Sequence, residues 1–145
     1  MTSLSFPDIN VWLALLIKDH IRRHRPSAVA WWRADRSHRI ASSRFAQIGV
    51  LRLLTTSAAM NRRPLSMAEA WSAHDYLYLD HRVVMLPEPS TLERAFRVAA
   101  TGDQASPKLW ADAYVAAFAE VAGGKVVTFD RALASRCNGS HLLTA

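Results

Sequence analysis

The sequence predicts an α/β domain in which a parallel sheet is covered by helices on both faces. Three observations point there. Five short strand-like runs are separated by helical patterns, often two to a gap. Helix boundaries are marked by capping and stop residues. Half the residues are hydrophobic and 21% are charged in a chain of 145, a composition and length that support one sizeable core.

The strand-like runs lie near 4–6, 39–41, 83–86, 126–129 and 141–143. Helical patterns fall near 9–17, 27–35, 43–56, 67–79, 91–100, 107–121 and 131–136. Ser66 with Glu69, and Ser90 with Glu93, each have the spacing of a capping box, in which hydroxyl and carboxylate satisfy each other's terminal N–H groups. Ser106 before Pro107 offers a cap and a proline at the first helical position. Gly102 and Gly123 stand where helices should stop. With no repeat or low-complexity linker, residues 1–145 read as a single domain.

Charge narrows the choice of partners. Eighteen Lys plus Arg against 12 Asp plus Glu give a net charge of +6, which favours polyanions such as nucleic acid or an acidic protein tail. Positive residues crowd into 18–39 (Lys18, Arg22, Arg23, Arg25, Arg33, Arg36 and Arg39), with Trp31 and Trp32 among them. Such charges suit phosphates and an exposed ring could stack on an unpaired base, but the tryptophans are expected in the core of the second helix. The single cysteine, Cys137, excludes an internal disulfide framework and suits a reducing, cytoplasmic setting. The apolar stretch 11–17 is too short to span a bilayer and has no basic region before it. The six histidines show no zinc-ligand spacing and are expected at the surface.

Most carboxylates have ordinary duties. Glu69 and Glu93 belong to capping boxes, Asp103 to a turn, and Asp19, Asp35, Asp75, Asp80 and Glu88 to solvated surroundings. Three remain. Asp8 and Asp130 each follow a strand, at the carboxyl edge where open α/β sheets place their binding crevice. Each is also well suited to be a helix N-cap. Asp112 is expected in the interior of a helix, in or beside a stripe of Leu109, Ala113, Ala116, Ala117 and Val121. A buried carboxylate there needs a cation. An arginine would serve, but a divalent metal shared with Asp8 and Asp130 is the preferred reading, since carboxylate oxygens suit Mg²⁺ or Mn²⁺.

The segments FPDINVWLALL, SPKLWADAYVAAFA and VVTFDRAL, in that order, resemble a PIN-domain ribonuclease. With SSRFAQIGVLRLLTT and PLSMAEAW, the chain resembles more narrowly the VapC toxins of bacterial VapBC toxin–antitoxin pairs. That resemblance implies a three-layer α/β/α sandwich around a mostly parallel sheet of about five strands. It also implies a Mg²⁺- or Mn²⁺-dependent endoribonuclease, a homodimer and a VapB-type antitoxin. Asp8, Asp112 and Asp130 match the family's catalytic, metal-binding acids, while Asn10 and Thr128 match polar residues supporting them. Where many PIN domains place a Glu on the helix after the second strand, this chain has Gln47, which can accept a hydrogen bond but brings no charge. Its helix neighbours Arg44 and Arg52, with Arg22 and Arg23, are expected to meet RNA phosphates. The alternatives are a catalytically weak RNA-binding module that inhibits translation by binding, and a phospho-acceptor domain. The latter fits less well, because no second acid adjoins Asp8. Apolar residues in 11–17 and 48–54 are expected mainly in the core, with an antitoxin segment as their other candidate partner.

Overall fold

The structure is a computed structural model, and it describes residues 3–17, 24–34 and 39–144. Five strands and seven helices are found among them. In chain order they are β1 (Leu4–Pro7), α1 (Ile9–Leu16), α2 (Arg25–Ala34), β2 (Arg39–Ser42), α3 (Arg44–Leu54) and α4 (Met67–Tyr78). There follow β3 (Val83–Met85), α5 (Leu92–Ala99), α6 (Leu109–Ala122), β4 (Lys125–Thr128), α7 (Arg131–Arg136) and β5 (Ser140–Leu142).

All strands are parallel, in the order β3-β2-β1-β4-β5. The chain builds outward from β1 through β2 to β3, then returns to place β4 on the other side of β1. The order therefore reverses between β1 and β4, and the crevice of such a sheet opens at the carboxyl ends of those two strands.

Side-chain alternation explains the three layers. Ile40 and Val127 belong to a core shared with Val11, Leu13, Ala28, Val50 and Leu77 of α1 to α4. Their chain neighbours Ala41 and Val126 point the other way, into a core with Leu92, Ala117, Phe118 and Leu133 of α5 to α7. Gly124, just before β4, lets β1 approach closely, since a Cβ there would stand 2.8 Å from the Leu4 carbonyl oxygen.

Several helix ends match their sequence signals. Ser66 and Glu69 form the expected capping box at α4, and Gly123 closes α6 in the left-handed conformation at φ 75°. Two signals do not operate. Thr91, not Ser90, is the N-cap of α5 and makes no side-chain cap bond, while Glu93 pairs instead with Arg97 one turn on, at 3.2 Å. At α6, residues 107–108 form a turn in which the Leu109 N–H reaches the Ser106 carbonyl at 3.0 Å, so the helix begins two residues later than Pro107 suggests. That shift puts Asp112 in the first turn of α6 rather than its interior, where the helix dipole favours an acid.

Asp80 is not solvated as expected. Its two oxygens hold Arg82 through Nε at 3.0 Å and Nη2 at 2.9 Å, and the arginine is 2% exposed. Arg82 also donates to the Trp32 carbonyl at 2.7 Å and lies 4.7 Å from the centre of the Trp32 ring, tying α2 to the start of β3. Trp31 is buried, as expected of a core residue. No helix among the described residues is long and apolar enough to cross a membrane.

Candidate active site

Asp8 and Asp130 stand at the two strand ends that flank the reversal of strand order. Asp8 follows β1, is the N-cap of α1 and accepts the Ile9 N–H on Oδ1 at 2.7 Å. Asp130 follows β4 by two residues, caps α7, and accepts the Ala132 and Leu133 N–H groups on Oδ1 at 2.8 and 3.3 Å. Capping and membership of the crevice thus coexist, because a helix that starts at a strand's carboxyl end puts its N-cap in the crevice.

Thr128 joins the two acids. It is fully buried, its Oγ1 donates to Asp8 Oδ2 at 3.1 Å, and the same oxygen accepts the Asp130 N–H at 2.9 Å. The backbone adds the Asp8 N–H to the Val127 carbonyl at 2.8 Å.

Asp112 reaches this edge from α6. The three carboxylates feel one another. Burial raises the Asp8 pKa, and the charges of Asp112 and Asp130 raise it further against the lowering effect of the Ile9 amide and Thr128 hydroxyl. Burial raises Asp112 as well, and Asp130 adds to it, while Lys108 and Arg136 pull the other way. Among the described residues, no three carboxylate, imidazole or thiol groups are drawn together tightly enough to ligate one ion as the side chains stand. Asp130 Oδ1 is occupied by amides and its Oδ2 lies 3.6 Å from Lys108 Nζ. Carboxylates without a counter-ion repel, so a shared ion requires at least one of them to turn. The donor set otherwise suits a hard divalent cation: oxygen ligands only, with the charges of Asp8 and Asp112 disfavoured by burial.

The other sequence-predicted residues divide. Asn10 is exposed in the first turn of α1, beside Asp8. Gln47 does not turn to the acids. It is 8% exposed, its Oε1 accepts from Arg44 Nη1, and its Nε2 lies 3.2 Å from His74 Nε2. Arg44 opens α3 at the carboxyl end of β2, on the same sheet edge as Asp8, whereas Arg52 lies exposed in the last turn of that helix. Arg22 and Arg23 lie outside the described residues, as do Lys18, His20, Arg36 and His38.

Some of the neighbourhood escaped the sequence reading. Lys108 and Arg136 are the cations beside Asp112. Lys108 precedes it by four residues, a helical spacing that is a usable signal. Cys137 lies near enough for Asp112 and Asp8 to help burial push its thiol up to about 11, so it is a poor nucleophile. His74 is not a surface histidine: it is 7% exposed and stacks on Tyr78 with ring centres 4.2 Å apart. Trp71 and Tyr78 flank it at helical spacing on α4, but its Gln47 partner comes from α3, which no spacing rule finds.

Comparison with known proteins agrees with this fold. The PIN-domain family model matches residues 5–138, and the chain belongs to the PIN-domain family. Within it the resemblance is to VapC ribonucleases. Over 130 residues the chain is 37% identical to Ribonuclease VapC41 of Mycobacterium tuberculosis, a match covering 86% of this chain and 88% of that one. Among solved structures, VapBC2 from Rickettsia felis, bound to a DNA fragment from its promoter, aligns with TM-score 0.67 at 14% identity over 96% of each chain. The sarcin–ricin loop-cleaving toxin VapC20 of M. tuberculosis aligns with TM-score 0.66 at 19% identity, over 97% of this chain and 99% of that one. At such identities these two likenesses speak for the fold: a five-stranded parallel sheet between helical layers.

Proposed function

We propose that the chain is an endoribonuclease toxin of a toxin–antitoxin pair, and that Asp8, Asp112 and Asp130 hold the Mg²⁺ or Mn²⁺ on which cleavage depends. The observation that carries the reading is that these acids share the switch-point edge of the sheet, where Asp112 and Asp130 raise the Asp8 pKa and Asp130 raises that of Asp112. Kinship with a ribonuclease at 37% identity supports the activity. The likeness to a VapBC structure supports an antitoxin partner, and the homodimer and cytoplasmic setting follow the family resemblance.

A divalent cation bound there would lower the pKa of an attacking water and stabilise charge developing on the phosphodiester. The chain's own residues prepare the place. The Ile9 amide and Thr128 hydroxyl orient Asp8, and the first-turn amides of α7 orient Asp130. Asp112 has no hydrogen-bonding partner holding its carboxylate in the described contacts, and is the acid freest to adjust. Lys108 and Arg44 put positive charge along the same edge, where an RNA backbone must pass.

The test is cleavage of RNA with Mg²⁺ by the wild-type chain and by Asp112→Ala. Product formation abolished by EDTA and by the substitution, with the circular dichroism spectrum unchanged, is the expected result. RNA binding without cutting, by a wild-type protein loaded with either metal, would favour the RNA-binding module instead.

A further inference from the structure

Gln47 occupies the helix position from which many PIN domains present an acid, yet here its amide is spent elsewhere. Its neighbours determine which way it points. Arg44 has only donors, so the atom of Gln47 that meets its Nη1 must be the carbonyl Oε1. The amide nitrogen is then turned to His74 Nε2 at 3.2 Å, which must accept. The imidazole proton therefore sits on Nδ1, where Asp75 Oδ1 receives it at 2.8 Å. Each contact along the row Arg44, Gln47, His74, Asp75 thus pairs a donor with an acceptor.

The row is rigid in its middle and open at its end. His74 and Gln47 are 7% and 8% exposed, and the imidazole stacks on Tyr78 at 4.2 Å and meets the ring of Trp71 edge-on at 5.4 Å. Arg44, by contrast, is exposed and lines a cleft of about 380 Å³. Leu86 and Pro87, beyond the carboxyl end of β3, and Tyr114, two residues from Asp112, also line that cleft, as does Glu88, whose carboxylate is occupied by the Tyr114 hydroxyl at 3.0 Å. A guanidinium on an exposed stem ordinarily samples many rotamers and gives up that freedom on binding an anion. Here one of its nitrogens is already fastened.

We infer that Gln47 and His74 are positioning residues: they fix Arg44 at the mouth of this cleft so that its remaining N–H groups meet an RNA phosphate. The inference rests on the proposed ribonuclease function, and it changes what the missing acid means. Gln47 is not a weakened metal ligand. It serves the substrate's backbone rather than the cation.

The test measures RNA binding separately from catalysis. A fluorescent single-stranded RNA oligonucleotide is titrated in EDTA with wild type, Gln47→Leu, His74→Phe, Arg44→Ala and the Arg44→Ala/Gln47→Leu double variant. Cleavage kinetics are followed in parallel across Mg²⁺ concentrations. Gln47→Leu and His74→Phe are each expected to weaken binding by about three- to tenfold, the scale of one ordinary hydrogen bond. The loss falls on KM rather than kcat, the Mg²⁺ requirement does not move, and Gln47→Leu adds nothing once Arg44 is gone. His74→Phe keeps the ring stack, and carries the test if Gln47→Leu does not fold. A shifted Mg²⁺ requirement with unchanged RNA affinity, or additive losses in the double variant, overturns the inference while leaving the ribonuclease reading intact. A wild-type protein that neither binds nor cuts RNA overturns both.

Discussion

Thr128 holds Asp8 and Asp130 in one hydrogen-bonded unit, giving its hydroxyl proton to the first at 3.1 Å and receiving the backbone N–H of the second at 2.9 Å. The side chain has no solvent exposure, so neither bond can be replaced by bulk water. The hydroxyl favours the ionised form of Asp8, the form a cation needs.

Thr128→Val keeps the shape and removes both bonds. It should lower stability by about 1–3 kcal/mol, because the Asp130 N–H loses its partner. It should also raise the Mg²⁺ concentration for half-maximal cleavage by about tenfold, as loss of a ligand's supporting contact typically does. Urea denaturation and a Mg²⁺ titration of cleavage measure the two. Unchanged Mg²⁺ dependence would show that Asp8 needs no such support.

The acids also make stability depend on pH. Asp8 and Asp112 have folded-state pKa values raised above the ordinary 3.8. Between that value and their own, the folded protein binds more protons than the unfolded chain. Stability contributed by these groups is therefore present at low pH and lost as pH rises through the raised values. Metal-free protein at pH 7 should be stabilised by Asp112→Asn, with Tm higher by roughly 2 °C. Saturating Mg²⁺ should reverse the order, since it binds the folded wild type more tightly. Thermal melts in EDTA and in Mg²⁺, at pH 4 and pH 7, test the sign: a variant that melts lower than wild type in EDTA at pH 7 would contradict it.

The ion pair of Asp80 and Arg82 is a stability element far from the chemistry. The side chains are 14% and 1% exposed, and Arg82 also serves the Trp32 carbonyl. Removing Asp80 takes away the two carboxylate oxygens that meet the buried guanidinium of Arg82. Asp80→Ala should cost about 3–5 kcal/mol, whereas replacing both residues with apolar ones should cost far less. Chemical denaturation of the single and double variants separates the two. Equal losses would mean that the pair itself, rather than the guanidinium left without those oxygens, sets the cost.

These cases show which parts of the molecule are legible in one dimension. The placement of Asp8 and Asp130 on one edge is legible because each trails a strand closely, and parallel strands deliver such residues to one edge. Asp112 differs, because the mid-helix position that its sequence context predicts is removed by the late start of α6. The order of strands was not readable from periodicity, nor was the pairing of Asp80 with a buried arginine two residues on. Glu93 had the correct spacing for a cap and took an arginine instead, because Ser90 lies one residue outside the helix turn that would use it. Gln47 and His74 meet across α3 and α4, and only the packed structure brings those faces together.

Lys108 supplies the last test, because it competes with a metal while serving the substrate. Its Nζ lies 3.6 Å from Asp130 Oδ2, and it also lowers the pKa of Asp112. At 80% exposure it is free to swing from the acids to a phosphate once a cation takes its place. Lys108→Gln should therefore lower the Mg²⁺ concentration needed for half-maximal cleavage by about two- to threefold, a modest change suited to an exposed pair. RNA binding in EDTA should weaken, and its dependence on log salt concentration should become shallower by about 0.7, one phosphate contact on a single strand. An unchanged salt slope together with an easier Mg²⁺ requirement would confine Lys108 to the acids. An unchanged Mg²⁺ requirement with a shallower slope would assign it to the RNA alone.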